Sequence, residues 1–289
     1  NITAWGPQAK SYLYTKVGAA RGSDIICIAE HHAKDPQVLR NAYACIGKRL
    51  IYNPPGPSRN TVDGTHGGEC IAYGKHLSLA AVSPTILDGL TPHKEQVRFA
   101  ASLLRLKHTT IMLVVIYLWD SQVWSADNSL IMSHVLSLYR TYKLPLIIVG
   151  DFNMLPAEFK DSAWCSLLGV SIITPPHDTT LRKAPGRIID YLLVSHSIVH
   201  VVGNVGVIKD TPWRHHGIVF TINARPRILQ SNSLVTPRAL PITPAMATYD
   251  AMNDYNKFNV FQQSRKQARK TLYKQARKTG IGILGQPLK

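Results

Sequence analysis

The chain has 289 residues, 45% of them hydrophobic, and a formal net charge of +16. This apolar content is enough for a sizeable core and excludes a disordered chain, while no apolar run approaches the ~20 residues that cross a bilayer, which excludes a membrane-spanning helix. The four cysteines, Cys27, Cys45, Cys70 and Cys165, are widely separated with no CxxC pair, so buried reduced thiols are favoured over a zinc site, in an intracellular setting with the nucleus as one option.

The surplus charge is uneven. Residues 225–289 hold 12 Lys/Arg against two acids, Asp250 and Asp254, whereas residues 1–224 hold 21 against 15. Such a balance favours a polyanionic partner, nucleic acid ahead of an anionic membrane surface. The chain starts at Asn1 without an initiator Met or a basic-then-apolar leader. No signal peptide is expected, and the sequence reads as a piece of a longer polypeptide.

In chain order, Asp24–Ala29 is a short buried strand ending at Glu30. Pro36 to Lys48 is a predicted helix, with Asp35 as N-cap and Pro36 at its first position. Asn53 to Gly68, rich in Pro, Gly, Ser and Asn, is a loop. Strands follow at Cys70–Tyr73, Leu77–Val82, Val97–Leu104 and Thr110–Tyr117. Ser125 to Tyr142 places Leu130, Ile131, Val135, Leu138 and Tyr142 at three- and four-residue steps, an amphipathic helix. Leu146–Val149 is a buried strand running into Gly150, Ala157–Leu168 a second helix, and Ile188–Val194, Val199–Ile208 and Gly217–Ile222 are late strands. Strands interrupted by helices without a strict βαβ rhythm predict two packed sheets covered by helices. Residues 225–248 read as a Pro-rich linker and 249–289 as a basic helical tail. Its Arg265, Lys266, Arg269, Lys270, Lys274, Arg277 and Lys278 form either a solvated face, a nucleic-acid-gripping arm or the start of a following domain.

Four features carry chemistry. Gly150-Asp151-Phe152-Asn153 follows an apolar strand, so Asp151 and Asn153 either hold a metal or water jointly or form an Asx turn before the next helix. Asp190 sits inside the apolar run Ile188–Val194, where an unpaired carboxylate would cost several kcal/mol, and so demands a cation, metal or donor. The doublet His215-His216 precedes the last strand and offers an imidazole to such a carboxylate. Glu30 ends its strand; taken alone it is a solvated charge, as is Glu69 at a strand edge, and His31-His32 reads as a loop pair ahead of a second metal site.

In this order the segments resemble the endonuclease/exonuclease/phosphatase superfamily over residues 1–224, most closely the endonuclease domains of non-LTR retrotransposons. The resemblance rests on Asn1-Ile2-Thr3-Ala4-Trp5 followed by a helix from Gln8 to about Val17, Ala29-Glu30, Val114–Tyr117, Gly150–Asn153, Ile189-Asp190-Tyr191 and His216. It implies an α/β (α+β) fold, a four-layer αββα sandwich of two mainly antiparallel sheets, DNase I-like. It also implies a Mg²⁺-dependent phosphodiesterase, with Mn²⁺ as the alternative ion, cutting a nucleic-acid backbone, with DNA as the first-choice partner. Glu30 and Asn1 would hold the metal, Asp151 would position or deprotonate the attacking water, and Asn153 would hold phosphate or water. Tyr117 would touch a phosphate oxygen, and His216, oriented by Asp190, would stabilise the transition state. Against the family pattern, His215 stands where Asp is usual, Leu118-Trp119 where Pro follows the Tyr, and Ala29 where Gln precedes the Glu. A phosphatase or lipid/inositol phosphodiesterase on the same fold, and an inactive nucleic-acid-binding remnant, are the other readings.

Overall fold

The run Thr110–Tyr117 is apolar at consecutive positions because both of its faces are covered. Ile111, Leu113 and Val115 pack into one core cluster and Met112, Val114 and Ile116 into another, all at 2% exposure or less. This is the signature of a strand buried between two layers. In the computed structural model, which describes residues 5–17, 23–57, 65–82, 98–120, 124–180, 186–224, 263–268 and 270–271, that strand lies in a six-stranded sheet.

The elements are α1 (Pro7–Tyr12), continued by a π-helical turn Leu13–Val17, β1 (Ile25–Ile28), α2 (Pro36–Cys45), β2 (Lys48–Tyr52), β3 (Gly56–Pro57), β4 (Thr65–His66), β5 (Cys70–Gly74) and β6 (Leu79–Ala81). Then come β7 (Phe99–Arg105), β8 (Thr110–Tyr117), α3 (Ala126–Tyr142), β9 (Leu146–Asp151), α4 (Pro156–Lys160), α5 (Trp164–Leu168), β10 (Val170–Ile173) and β11 (Asp190–Ser195). A 3₁₀ segment His196–Val201 leads into β12 (Val202–Ile208) and β13 (Gly217–Ile222). The large sheet has the order β10-β11-β9-β8-β7-β6 and is antiparallel except for β8–β9. That one parallel pair needs a crossover, which α3 supplies. A three-stranded sheet β1-β5-β2 and the hairpin β12–β13 form a second layer.

Three core clusters order the layers. The first joins one face of the six-stranded sheet to α3, α4 and α5 through Val135, Leu138, Phe159 and Leu168. The second lies between the sheets, bringing Leu113, Ile147 and Leu192 against Ile71, Ile25, Cys27, Ile218 and Phe220. The third seals the outer face of β1–β5–β2 with Leu13, Leu39 and Tyr43. The result is helices, sheet, sheet, helices, as expected, except that the second sheet is in two pieces. The expected boundary at 224 falls where the described residues stop at Ala224, and residues 225–262 lie outside them.

The helix ends follow their local chemistry. Asp35 Oδ1 accepts from Gln37 N–H at 2.8 Å, and Pro36 opens α2. Ser125 Oγ accepts from Asn128 N–H at 3.2 Å, and α3 ends at Lys143 in a left-handed conformation (φ 52). Several boundaries differ from expectation. α2 stops at Cys45, freeing Lys48–Tyr52 to pair with β5. The helix expected over Ala157–Leu168 breaks at Asp161–Ala163, where Ser162 Oγ bonds the Phe159 carbonyl at 2.6 Å. The strand expected from Val199 starts at Val202, after the 3₁₀ segment. The loop Asn53–Gly68 contains the short β3–β4 pair. No helix among the described residues is long and apolar enough to cross a membrane. Cys27, Cys45, Cys70 and Cys165 are free thiols; Cys70 is buried, Cys27 and Cys165 are half-buried, and Cys45 is exposed rather than buried. The linker 225–248 lies outside the described residues. In the tail, Arg265, Lys266 and Lys270 are exposed on short helical stretches, while Arg269, Lys274, Arg277 and Lys278 have no described side chain.

Candidate active site

Four residues stand abreast at one end of the six-stranded sheet. Asp190 is the register partner of Asp151 across β11–β9, and Asp151 that of Tyr117 across β9–β8. The Tyr117 N–H donates to the Arg98 carbonyl at 3.0 Å, placing Arg98 beside it just ahead of β7. Register partners project to the same face of a sheet. That face is the one toward the second sheet, because Val115, Val149 and Leu192, two residues along each strand, belong to the inter-sheet core. The row Asp190–Asp151–Tyr117–Arg98 therefore forms where the inter-sheet core runs out at the strand ends. β9 can carry Asp151 there because Gly150 lets its backbone meet β8: a Cβ at Gly150 would collide with the Ile116 carbonyl.

Asp151 and Asp190 are 1% and 4% exposed. The Asn153 N–H donates to Asp151 Oδ1 at 2.9 Å, and Asn153 Nδ2 donates to the Leu118 carbonyl at 2.8 Å. The Asx turn and the site are thus one object: Asn153, at φ 51, holds the Asp151 carboxylate in place. Asp190 is anchored through Thr179, whose buried Oγ1 accepts from the N–H groups of Ile189 and Asp190 at 3.1 and 3.2 Å.

The imidazole facing these carboxylates is His215. Its Nδ1 lies 2.8 Å from Asp190 Oδ2 and 3.8 Å from Asp151 Oδ2. The expectation that His216 pairs with Asp190 is corrected by one residue. His215 forms a β-bridge with Thr180, and the His216 N–H donates to the Thr179 carbonyl at 2.8 Å. Side chains alternate along such an extended segment, so one histidine of the doublet turns to the carboxylates and the other away. His216 lines the cleft between β1 and β13 instead, and its buried Nδ1 has no hydrogen-bond partner among the described residues. The departure from the family's Asp-His pattern moves accordingly: the residue ahead of the paired histidine is the exposed Arg214. Burial alone would lower the His215 pKa; the Asp190 hydrogen bond and the Asp190 and Asp151 charges outweigh it, and the net shift is upward.

Glu30 reaches the row from the second sheet. It sits just past β1 at φ 61, and His32 has φ 54. Such strain in bulky residues persists where the surroundings enforce it, commonly at working sites. Glu30 hydrogen-bonds Tyr117, whose phenol is pushed well up by burial and then by the charges of Glu30 and Asp151. His32 Nδ1 lies 2.6 Å from the Thr65 carbonyl, so it must donate there. Its Nε2 faces Glu30 Oε1 at 3.4 Å.

Two charged residues that the sequence reading did not assign complete the site. Arg98 is 3% exposed, with its guanidinium 4.1 Å from the Tyr117 ring centroid and 3.7 Å from that of Trp119. Its Nε and Nη1 have no hydrogen-bond partner among the described residues. Glu69, read from sequence as a strand-edge charge, is fully buried and accepts from Asn53 Nδ2 at 2.9 Å. Burial pushes it up to about 8, with the Asn53 hydrogen bond and the Arg98 charge pulling back only in part. It therefore keeps its proton in the folded chain up to about pH 8 but loses it near 4.5 when unfolded, so its contribution to stability falls as pH rises between those values. Glu69→Gln is expected to remove that slope. Urea midpoints measured from pH 5 to 9 should show the variant gaining on the wild type as pH rises, and parallel curves would contradict the assignment.

The donor set fits a hard divalent ion. Asp151, Asp190 and His215 each offer a ligand atom within 4.8 Å of the others, and Glu30 offers a further carboxylate at Tyr117. Carboxylate oxygens suit Mg²⁺ or Mn²⁺. Asn1, the other expected ligand, lies outside the described residues.

No family model matches the chain, and no curated protein matches it. Solved structures do. The endonuclease domain of TRAS1, a telomere-specific non-LTR retrotransposon, superposes with a TM-score of 0.52 at 16% identity, over 76% of this chain and 95% of that one. The 3′ phosphatase NExo from Neisseria, bound to a product DNA hairpin, gives 0.53 at 14% identity, over 77% and 96%. An endonuclease/exonuclease/phosphatase family protein from Leptotrichia buccalis gives 0.52 at 13%, over 77% and 97%. With its mixed and antiparallel sheets, flanking helices and strand-end row of charged residues, this chain has the DNase I-like fold of the endonuclease/exonuclease/phosphatase proteins.

Proposed function

We propose that this protein is a divalent-metal-dependent phosphodiesterase that hydrolyses a nucleic-acid backbone, DNA first. The observation that carries the reading is the row Asp190–Asp151–Tyr117–Arg98 with His215 closing over its acidic end. It sets a candidate general base, a candidate cationic donor and a buried guanidinium along one row of strand ends, which suits phosphodiester hydrolysis, where negative charge builds on the phosphoryl oxygens in the transition state.

Glu30, beside Tyr117, would hold Mg²⁺ or Mn²⁺, which would supply charge neutralisation for the scissile phosphate when bound. The protein's own groups do the rest. Asp151, oriented by Asn153, takes the proton from the attacking water as its oxygen bonds to phosphorus. His215, held by Asp190, presents a charged N–H to the phosphoryl oxygens as the P–O bond to the leaving sugar oxygen breaks. Tyr117 contacts a remaining oxygen, and the buried charge of Arg98 lies behind its ring. The basic surplus, +16 over the whole chain, favours a polyanion over a small phosphate ester. The tail residues from Arg265 to Lys278 would add salt-sensitive grip, and the likeness to a retrotransposon endonuclease domain is compatible with a place in a longer polypeptide.

Incubation with supercoiled plasmid in Mg²⁺ or Mn²⁺, with and without EDTA, tests the reading, with inositol phosphates, phospholipid vesicles and 3′-phosphorylated oligonucleotides in parallel. Metal-dependent nicking is expected. Turnover of only the lipids or inositol phosphates, or salt-sensitive DNA binding with no strand cleavage in either metal, would overturn it.

A further inference from the structure

Residues 255–289 hold nine Lys/Arg and no Asp or Glu. Within them one hexapeptide, Lys-Gln-Ala-Arg-Lys-Thr, stands twice without a change, at 266–271 and again at 274–279. A basic composition alone would not repeat the Gln, the Ala and the Thr in the same places. The three cations of each copy fall at its first, fourth and fifth positions: Lys266, Arg269 and Lys270, then Lys274, Arg277 and Lys278. That is the i, i+3, i+4 spacing which gathers side chains on one face of a helix, with the uncharged residues turned to the other.

The first copy has that form. Residues 263–268 and 270–271 are helical and exposed, so Lys266 and Lys270, one turn apart, project from the same side. The Thr271 hydroxyl donates to the Gln267 carbonyl at 3.1 Å. Without a partner the arrangement works against its own helix: like charges one turn apart destabilise it, and no acid after Asp254 offsets them. A polyanion turns that repulsion into attraction. Its chemistry is narrowed by what the repeat lacks. Between residues 263 and 280 the large apolar side chains are Leu272 and Tyr273 alone, too little for a helix that inserts into a lipid surface. Phosphates in a regular row, as on a nucleic-acid backbone, need only the cations.

We propose that the two hexapeptides are equivalent modules for a nucleic-acid backbone, each setting three cations from one helical face against the phosphates. This is more specific than a diffuse basic grip, because it depends on the spacing of the cations as well as on their number. It stands apart from the chemistry at the acidic row and holds whether or not that row cleaves DNA.

The test is binding of the full chain, in EDTA, to short fluorescent DNA duplexes of two unrelated sequences. One variant carries Lys266→Gln, Arg269→Gln and Lys270→Gln, and a second carries Lys274→Gln, Arg277→Gln and Lys278→Gln. Each is expected to flatten the slope of log K against log salt by ~3, equally for the two copies and for the two sequences. A third variant permutes each hexapeptide so that its cations stand first, third and sixth, spread around the helix. It keeps the charge and is expected to bind ~10-fold more weakly. DNA should also slow amide exchange across residues 263–279 in the wild type and not in the permuted chain. Unequal copies, a loss confined to one sequence, or a permuted chain that binds and protects like the wild type would overturn the proposal. So would tighter binding to phosphatidylserine vesicles than to DNA at equal salt. Plasmid nicking is read separately, in metal, so its absence bears on the acidic row and not on the repeat.

Discussion

Replacing Asp151 by Asn is expected to lower phosphodiester cleavage by ~10³-fold while leaving the protein folded. Asn keeps an oxygen where the Asn153 N–H donates at 2.9 Å, so the turn after β9 survives. What is lost is the negative charge, and with it the ability to accept a proton from water. The fold has little reason to suffer, because Asp151 and Asp190 are both buried within reach of one imidazole, and removing one of two neighbouring carboxylates also relieves their repulsion. The variant should unfold within a few degrees of the wild type, read by circular dichroism, and should fail to nick plasmid at matched metal concentration. Wild-type nicking by the variant would remove Asp151 from the chemistry.

The parts of the site that sequence revealed are those whose local pattern is abnormal. An Asp inside Ile188–Val194 and the Gly-Asp-Phe-Asn turn after Leu146–Val149 both break an apolar run, and the structure places both carboxylates side by side. Arg98 escaped because a single Arg at the start of a strand looks like an ordinary edge residue. Only the tertiary stacking on Tyr117 and Trp119 makes it a buried cation. Glu69 escaped for the same reason: its burial depends on Asn53 and on the packing of the β5 entry beneath His31, whose ring sits so close that a Cβ at Gly68 (φ +90) would meet it at 2.6 Å. α2 and β12 are shorter than their sequence patterns imply where a local preference competes with sheet pairing, at Lys48–Tyr52 and at Val199–Val201. The histidine doublet is the sharpest case. Which of two adjacent rings faces inward depends on a one-residue register, and here that register is set by Thr179 and Thr180, some 35 positions earlier in the chain (215 against 180). No local signal could have chosen between them.

That choice makes the second prediction decisive. His215→Ala is expected to cost ~10²–10⁴-fold in turnover, whereas His216→Ala should change it only a few-fold. His215→Asp, which the family pattern suggests from sequence as a gain, should instead abolish activity, since it puts a third carboxylate against Asp151 and Asp190. The pH profile separates a catalytic ring from a merely structural one. His215 has its pKa raised in the folded chain, so its share of stability is complete below the unfolded value of about 6.5 and disappears as pH climbs through the folded value. Activity that needs the charged N–H should fall along the same alkaline limb. Asp190→Asn removes the charge and weakens the hydrogen bond that raise the pKa, and should move that limb to lower pH. Burial, which pulls the ring the other way, remains. If Asp190→Asn leaves the limb where it is, or if His216→Ala is the damaging change, the imidazole next to Asp190 is not the one that serves the phosphate.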